Sequence, residues 1–362
     1  MPVTAIDLFC GAGGLTQGLI KSGINVVAGV DFDKACRFAY ETNNKAIFIN
    51  KKIQDITAAD LIKYYPEEGI RILVGCAPCQ PFSMHSNKYN KNDGASRKDE
   101  RRYLLDDYIR LVKEIRPDIV SMENVPNLAE QPIFKSFVNK LKRAGYKVSY
   151  SVVFCPDYGV PQQRNRLVLL ASKLGKITLI KPTRQPEEYE TVRKAIGSMP
   201  KINAGEVLTS DPLHRSSELS DINLKRIRAS KPGGTWREWD DTLLTDCHKK
   251  DSGKTYGSVY ARMEWDKPAP TITTEFYNYG TGRFGHPEQD RAISLREGAL
   301  LQTFPINYQF VEDGKFSFKS VGKMIGNAVP VELGAAIGQS ILNHVRMHDD
   351  TNEKGNKREG TV

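Results

Sequence analysis

The sequence of 362 residues holds no apolar run near the roughly 18–20 residues that a membrane span needs. Its start, Met-Pro-Val-Thr-Ala-Ile-Asp, lacks the basic and apolar regions of a signal peptide. These two absences lead us to expect a cytoplasmic protein with no membrane association. Cysteine is sparse: six residues, at 10, 36, 76, 79, 155 and 247. Only Cys76 and Cys79 are close together, and no second pair with neighbouring histidines completes a zinc site. Neither a disulfide framework nor a metal is therefore expected. There is no internal repeat, and the only low-complexity stretch is the polar tail from His348 to Val362.

What is present is ordinary globular material. Apolar residues make up 40% and charged residues 26%, enough for a buried core. Lys and Arg number 52 against 43 Asp and Glu, a net charge of +9. That surplus favours an anionic partner such as nucleic acid, although charge bears on association and not on fold.

The first 172 residues alternate between short apolar runs and helical spacing. Strands are expected at Thr4–Phe9, Val26–Asp31, Ala46–Ile49, Arg71–Val74, Asp118–Met122, Lys147–Phe154 and Arg166–Ala171. Helices are expected at Gly14–Lys21, Lys34–Glu41, Tyr103–Ile115 and Ile133–Ala144. Such alternation predicts an α/β fold with a doubly wound, mostly parallel sheet. The last two strands lie close in sequence and should pair antiparallel. From residue 173 to 292 the texture turns to Pro, Gly, charge and scattered aromatics, which reads as a separate, irregular domain. A helical pattern returns at Val331–Val345, after a turn with Pro330 at the helix start.

Four motifs carry chemistry. Asp7-Leu8-Phe9-Cys10-Gly11-Ala12-Gly13-Gly14 closes the first strand, and its glycines let the backbone turn tightly against a ligand. Asp31, at the end of the next strand, sits where an acid can hold ribose hydroxyls. A nucleotide-like ligand is one reading and a glycine-rich turn without a ligand is the other. The dinucleotide fingerprint would put a third glycine at position 16, which is Thr16, so NAD and FAD are disfavoured. Gly75-Cys76-Ala77-Pro78-Cys79-Gln80-Pro81-Phe82-Ser83 follows the fourth strand, where open α/β sheets bind ligands. Its prolines stiffen the chain around Cys79, a candidate nucleophile. A redox dithiol at Cys76 and Cys79 is the alternative. Glu123-Asn124-Val125-Pro126 ends the fifth strand. A carboxylate there is costly to bury as an anion, which suits a proton donor, unless Glu123 is a solvated loop residue. In Gln162-Gln163-Arg164-Asn165-Arg166, alternation puts Arg164 and Arg166 on one strand face, fit for a phosphate or a base oxygen, or simply exposed. Between Met84 and Arg102 lies a loop with six Lys and Arg against three Asp and Glu. It reads as a basic lid over an anionic polymer or as a solvated loop.

Phe9-x-Gly11-x-Gly13, Pro78-Cys79-Gln80, Glu123-Asn124-Val125 and Gln162-x-Arg164-x-Arg166, in this order, resemble the DNA (cytosine-5) methyltransferases. Arg296-Glu297 through Gln302-Thr303-Phe304-Pro305, and Gly326-Asn327-Ala328-Val329-Pro330, extend the likeness over about residues 4–345. The resemblance implies a class I S-adenosylmethionine-dependent, Rossmann-like catalytic domain at 1–180 plus 318–346. It is discontinuous because the helix after Val329 returns to it. The resemblance also implies a target-recognition domain at 181–317, leaving a disordered tail at 347–362.

By the same resemblance, Cys79 is the nucleophile, Glu123 contacts the cytosine ring nitrogen, and Arg164 and Arg166 hold the base and the intermediate. Phe9, Gly11, Gly13, Asp31, Asp55, Ile56, Pro78, Asn327 and Val329 line S-adenosylmethionine, and the product is S-adenosylhomocysteine. Gln80, Ser83, Arg97, Gln162, Thr271 and Thr273 meet DNA. Arg215, Lys225, Arg226, Arg228, Lys231 and Arg237 are further candidates for sequence readout. The implied partner is double-stranded DNA, with the enzyme acting as a monomer and a cognate restriction endonuclease encoded nearby. The rivals are an RNA cytosine-5 methyltransferase on the same scaffold and a non-catalytic DNA-binding relative. A nicotinamide oxidoreductase would leave Cys79 and both arginines without a role.

Overall fold

The first strand, β1 (Val3–Leu8), is buried from Thr4 onward. Burial on both faces is what a central strand of a parallel sheet requires, and it explains the near-continuous apolar run. The computed structural model describes residues 1–78, 104–253, 255–312 and 315–359. The chain forms two units: one of residues 1–154, 165–182 and 329–362, the other of residues 155–164 and 183–328.

In the first unit β1 leads through α1 (Gly14–Ser22), β2 (Asn25–Asp31), α2 (Arg37–Asn44), β3 (Ile47–Asn50), α3 (Ala58–Ile62) and β4 (Ile70–Gly75). Then come α4 (Leu104–Ile115), β5 (Ile119–Asn124), α5 (Pro132–Arg143) and β6 (Lys147–Phe154). After the two-residue β7 (Gln162–Gln163), which belongs to the second unit, β8 (Asn165–Ser172) returns to the first. The seven-stranded sheet runs β3-β2-β1-β4-β5-β8-β6. The first five are mutually parallel, and β8 lies antiparallel to both β5 and β6. Every strand expected from sequence is present, with ends displaced by at most two residues. The short α3 carries too little periodicity to be expected. Its Thr57 hydroxyl caps the Asp60 amide, a signal visible in Thr-x-x-Asp. Tyr103 lies outside the described residues.

Helix α4 shows why the pattern was readable: Leu104, Leu105, Tyr108, Ile109, Leu111, Val112 and Ile115 form one buried face. The Tyr108 hydroxyl reaches the Ser121 carbonyl at 2.7 Å and the Leu73 carbonyl at 3.1 Å, anchoring the helix over β4 and β5.

The second unit has little regular structure: α6 (Val192–Ile196), β9 (Val207–Leu208), β10 (Asp211–Arg215), α7 (Asp221–Ala229), β11 (Ala269–Pro270), α8 (Leu295–Leu301) and α9 (Phe318–Asn327). Buried polar networks hold it. Arg291, fully buried, grips Glu297 with two bonds of 2.7 and 2.8 Å. Burial alone would raise the Glu297 pKa, but the Arg291 bonds and charge outweigh it and hold it at about 2. Arg296 clasps Asp211 at 2.6 and 2.9 Å, and Arg262 donates to the carbonyls of Ile227, Ser230, His286 and Gln289. This unit takes in residues 155–164 and α9, which the bounds implied by the family resemblance place in the catalytic domain.

The last helix, α10 (Val331–Glu359), belongs to the first unit and packs on α1 through glycine. A Cβ on Gly18 would stand 2.4 Å from the Val331 carbonyl oxygen and 2.6 Å from Gly334 Cα. The helical backbone runs through Glu359, past residue 347 where an unstructured tail is expected. No proline interrupts this stretch, and extending an established helix costs far less than starting one.

Candidate active site

The strand order reverses between β1 and β4, which in an open α/β sheet leaves a crevice at the carboxyl ends. The motif after β1 turns there through three left-handed residues, Phe9 at φ +60°, Gly11 at +51° and Gly13 at +91°. A non-glycine residue in that region is uncommon, and Phe9 holds it at a cost of about 1–3 kcal/mol. Among the described residues a Cβ on Gly11 would meet nothing within 4 Å, so they leave open space beside that backbone. The Gly11 amide donates to Asp31 Oδ2 at 2.9 Å, and the Asp33 amide donates to Asp31 Oδ1 at 2.8 Å. Asp31 thus stands fixed at the end of β2, with Phe32 beside it 61% exposed.

The second cluster lies between the ends of β4, β5 and β8. Glu123 is 2% exposed, and Arg166 Nε stands 2.8 Å from its Oε1. The Cys76 thiol donates to Glu123 Oε2 at 2.8 Å. Burial and the Glu123 charge push the Cys76 thiol well above its ordinary pKa. Cys76 is therefore a protonated hydrogen-bond donor, and the reading of Cys76 and Cys79 as a redox dithiol loses support. Asn124 Nδ2 donates to the Ala77 carbonyl at 2.9 Å, tying β5 to the segment that leads to Cys79. A fixed carboxylate, a guanidinium and a thiol donor at the carboxyl ends can hold a planar heterocycle by its edge and move a proton on it.

The sequence model of C-5 cytosine-specific DNA methylases matches residues 3–343. The chain belongs to this family. It is a DNA methyltransferase acting on carbon 5 of cytosine, and family members generally take the methyl group from S-adenosylmethionine. The chain is 55% identical over 339 residues to Type II methylase M.HgiDII of Herpetosiphon aurantiacus, covering 93% of this chain and 94% of that protein. It is 32% identical to Type II methyltransferase M1.HphI of Haemophilus parahaemolyticus, over 94% of this chain and 87% of that one. A crystal structure of an Escherichia coli prophage-encoded protein, described as a DNA modification methyltransferase, shares the fold with a TM-score of 0.72. Identity there is 20%, over 95% of this chain and 99% of that one. The S. pombe Dnmt2 methyltransferase does so with a TM-score of 0.61 at 16% identity, over 95% and 99% of the two chains.

In the methylase, Glu123 is a buried residue of β5 and not a solvated loop residue. Glu123 is buried, but Arg166 compensates its charge. The two arginines do not share a strand face either. β8 begins at Asn165, and Arg164 belongs to the second unit, 3% exposed, with Nη1 donating to Ile272 O at 3.1 Å and Nη2 to Ala328 O at 3.4 Å. Gln162, expected at DNA, is fully buried in that unit. Its Nε2 meets Leu301 O at 2.7 Å and Gln302 Oε1 at 2.8 Å, and its Oε1 accepts from Ile272 N at 2.9 Å, so it holds the unit together.

Thr271, half-buried, donates to Gln163 O at 2.9 Å, and Thr273 is exposed. Asn327 is exposed at the end of α9, whereas Val329 is buried in the first unit. Asp55 is exposed and Ile56 buried, on a segment that Arg110 steadies by donating to Ile53 O and Ile56 O at 3.0 Å each. Pro78 is half-buried. Cys79, Gln80, Ser83 and Arg97 lie outside the described residues. Among the proposed readout cations, Arg226 is held by Leu243 O and Asn223, Arg228 pairs with Asp290, and Arg215 lies 3.8 Å over the Phe316 ring. Lys225 and Lys231 are exposed. Asn124, Arg110 and Phe32 were not singled out from sequence. Of these only Asn124 stood inside a motif that could have flagged it.

Proposed function

We propose that the chain methylates a flipped-out cytosine within a specific double-stranded DNA sequence, through a covalent bond from Cys79 to the base. The observation that carries this is the Glu123 carboxylate, buried at the end of β5 and held from two sides by Arg166 and Cys76.

The open backbone at Gly11, the Asp31 carboxylate and the exposed Phe32 ring fit S-adenosylmethionine. Phe9, Gly11 and Gly13 shape the turn against it, Asp31 accepts from its ribose hydroxyls, and Phe32 offers an aromatic face. Asp55, Ile56, Pro78, Asn327 and Val329 are further contacts, and S-adenosylhomocysteine is the product. When bound, the cofactor supplies an electrophilic methyl group. The protein's part is to make cytosine reactive. The Cys79 thiolate adds to carbon 6 as the ring nitrogen takes a proton that water supplies through Glu123, whose carboxyl Arg166 orients, and carbon 5 then bonds the methyl group. Positioned acid assistance of this kind contributes about 10²–10⁴ in rate. Loss of the carbon-5 proton and expulsion of Cys79 then restore the aromatic ring. A stacked base cannot be reached this way, so it must leave the duplex.

The second unit is the target-recognition domain, with Thr271 and Thr273 at DNA together with Gln80, Ser83 and Arg97. Gln162 and Arg164 support that unit from within. The enzyme acts as a cytoplasmic monomer. As the type II names of its relatives suggest, it protects the site of a cognate restriction endonuclease. Expression in a host without cytosine methylation, followed by bisulfite sequencing, tests the reading. Protected cytosines in one short sequence support it. Full conversion, with labelled methyl groups passing to RNA and not to DNA, overturns it.

A further inference from the structure

Cys76 is the first residue after β4, and its thiol donates to Glu123 Oε2 on β5 at 2.8 Å. Among the described residues this is the one hydrogen bond that the Glu123 side chain accepts. Arg166 Nε stands 2.8 Å from the other oxygen, Oε1, and compensates its charge, yet Oε1 is buried without an aligned hydrogen bond. Arg166 Nη1 is turned to the Asn165 carbonyl at 2.7 Å. A charge pair tolerates rotation of the carboxylate about its last bond, whereas a hydrogen bond is directional. Arg166 therefore draws the carboxyl to its place, and the thiol fixes its rotation there.

The groups around the thiol keep it in the donor state. Burial raises its pKa most, the Glu123 charge and hydrogen bond add to the rise, and Asp7 of β1 adds a little more, against Arg166 of β8. Tyr108 of α4 is the other titratable group that feels it. A thiol is both a weak donor and a weak acceptor. It can donate to the ionised carboxylate and accept from the protonated one, so it stays with Glu123 in both states. A strong donor in its place would hold the negative charge and oppose delivery of the proton.

We propose that Cys76 is a positioning residue for methyl transfer: its thiol holds Glu123 Oε2 so that the carboxyl passes its proton to the cytosine ring nitrogen in one fixed orientation. The inference rests on the reading of Glu123 as the group that passes that proton. It gives Cys76 a task separate from that of Cys79.

The test compares wild type with Cys76→Ala, which removes the donor, and Cys76→Ser, which keeps one at the same place. Single-turnover assays give the rate of chemistry, and titrations give Kd for S-adenosylmethionine and for DNA. Cys76→Ala should slow chemistry by about ten- to hundredfold, the range that a hydrogen bond to a charged group supports, with both Kd values unchanged. Cys76→Ser should recover most of that loss. Losing the donor also eases protonation of the carboxyl. The alkaline limb of the pH–rate profile should therefore move up by about one unit in Cys76→Ala and not in Cys76→Ser. A merely structural role would slow the enzyme without moving that limb. Infrared difference spectra between wild type and Cys76→Ser isolate the Cys76 S–H stretch without any turnover. That band should sit at the low frequency of a bonded thiol and rise in Glu123→Ala. If Cys76→Ala keeps the wild-type rate and limb, if serine loses as much as alanine, or if the band is the same in Glu123→Ala, the inference is overturned. Should Cys76→Ala fail to fold, Cys76→Ser and the band decide. If wild type methylates no DNA, the proposed function falls and this inference with it. A band that shifts as expected then marks the failure as one of function and not of the contact.

Discussion

Asn124 Nδ2 donates to the Ala77 carbonyl at 2.9 Å, and both residues are almost fully buried. Ala77 stands two residues before Cys79. One side-chain amide thus joins the strand that presents Glu123 to the segment that leads to Cys79, the proposed nucleophile. Asn124→Ala should leave that carbonyl unpaired, lowering stability by about 1–3 kcal/mol. It should also slow methyl transfer by more than its effect on DNA binding explains. Denaturant unfolding and separate kcat and Kd measurements check both effects.

The Glu123–Arg166 pair predicts non-additive mutants. Arg166→Ala strips the buried carboxylate of its cation, a change that typically costs about 3–5 kcal/mol. Glu123→Gln should cost less stability but about 10²–10⁴ in rate. The double variant should be more stable than Arg166→Ala alone, since no unpaired buried charge remains. Denaturation of the four proteins reads the coupling directly.

Asp7 predicts a pH effect. Burial raises its pKa to about 7, against the Thr16 hydroxyl bond at 2.7 Å and with the Asp31 charge adding to the rise. A carboxyl with a raised folded pKa contributes stability below its ordinary value of 3.8, and that contribution is lost as pH rises to about 7. Asp7→Asn cannot ionise, so it should gain stability over wild type as pH climbs from about 4 to 7 and hold that gain above. Melting curves of both proteins across this window would show it, and parallel curves would refute it.

His286 and Glu297 act in the opposite sense. Burial lowers the His286 pKa to about 4, while Arg291 holds Glu297 at about 2. Both are folded values depressed below the unfolded ones. Their stabilisation is complete above about pH 6.5 and is lost first as His286 charges toward pH 4, then as Glu297 protonates toward pH 2. Glu297→Gln should remove the lower part of this acid limb. Acid titration followed by tryptophan fluorescence checks it, because all three tryptophans lie in the second unit.

The contact of α1 with α10 predicts a steric threshold. Gly18→Ala should destabilise by at least about 1–3 kcal/mol, since its Cβ would meet backbone 2.4 Å away. Gly145, at φ +91° with none of the described residues within 4 Å of a Cβ, should accept Asn far more readily. Paired thermal melts compare the two.

The sheet was legible because a parallel strand buried on both faces must be largely apolar, as the runs Ile72–Val74 of β4 and Ile119–Val120 of β5 are. The glycine turn and Asp31 were legible because strand ends at a topological switch point need those residue types. The second unit was not, for a physical reason. Its interior is built on Arg291, Arg262, Arg296 and Glu297, which hydropathy scores as surface. The packing of Gln162 and Arg164 was hidden for the same reason, since polar motif residues do not announce in sequence that they are buried against carbonyls of the second unit. The Ser294-x-x-Glu297 capping box was in the sequence, and it marks α8 in a stretch where periodicity fails.

The most direct test of the account is a duplex carrying 5-fluorocytosine at the methylated position, incubated with S-adenosylmethionine. Fluorine cannot leave carbon 5 as a proton does, so the adduct should persist. The account predicts a covalent protein–DNA complex on a denaturing gel, mapped to Cys79 by peptide mass and absent in Cys79→Ser. If no complex forms while the same cytosine is methylated in ordinary DNA, or if Cys79→Ser forms it equally well, the mechanism is contradicted.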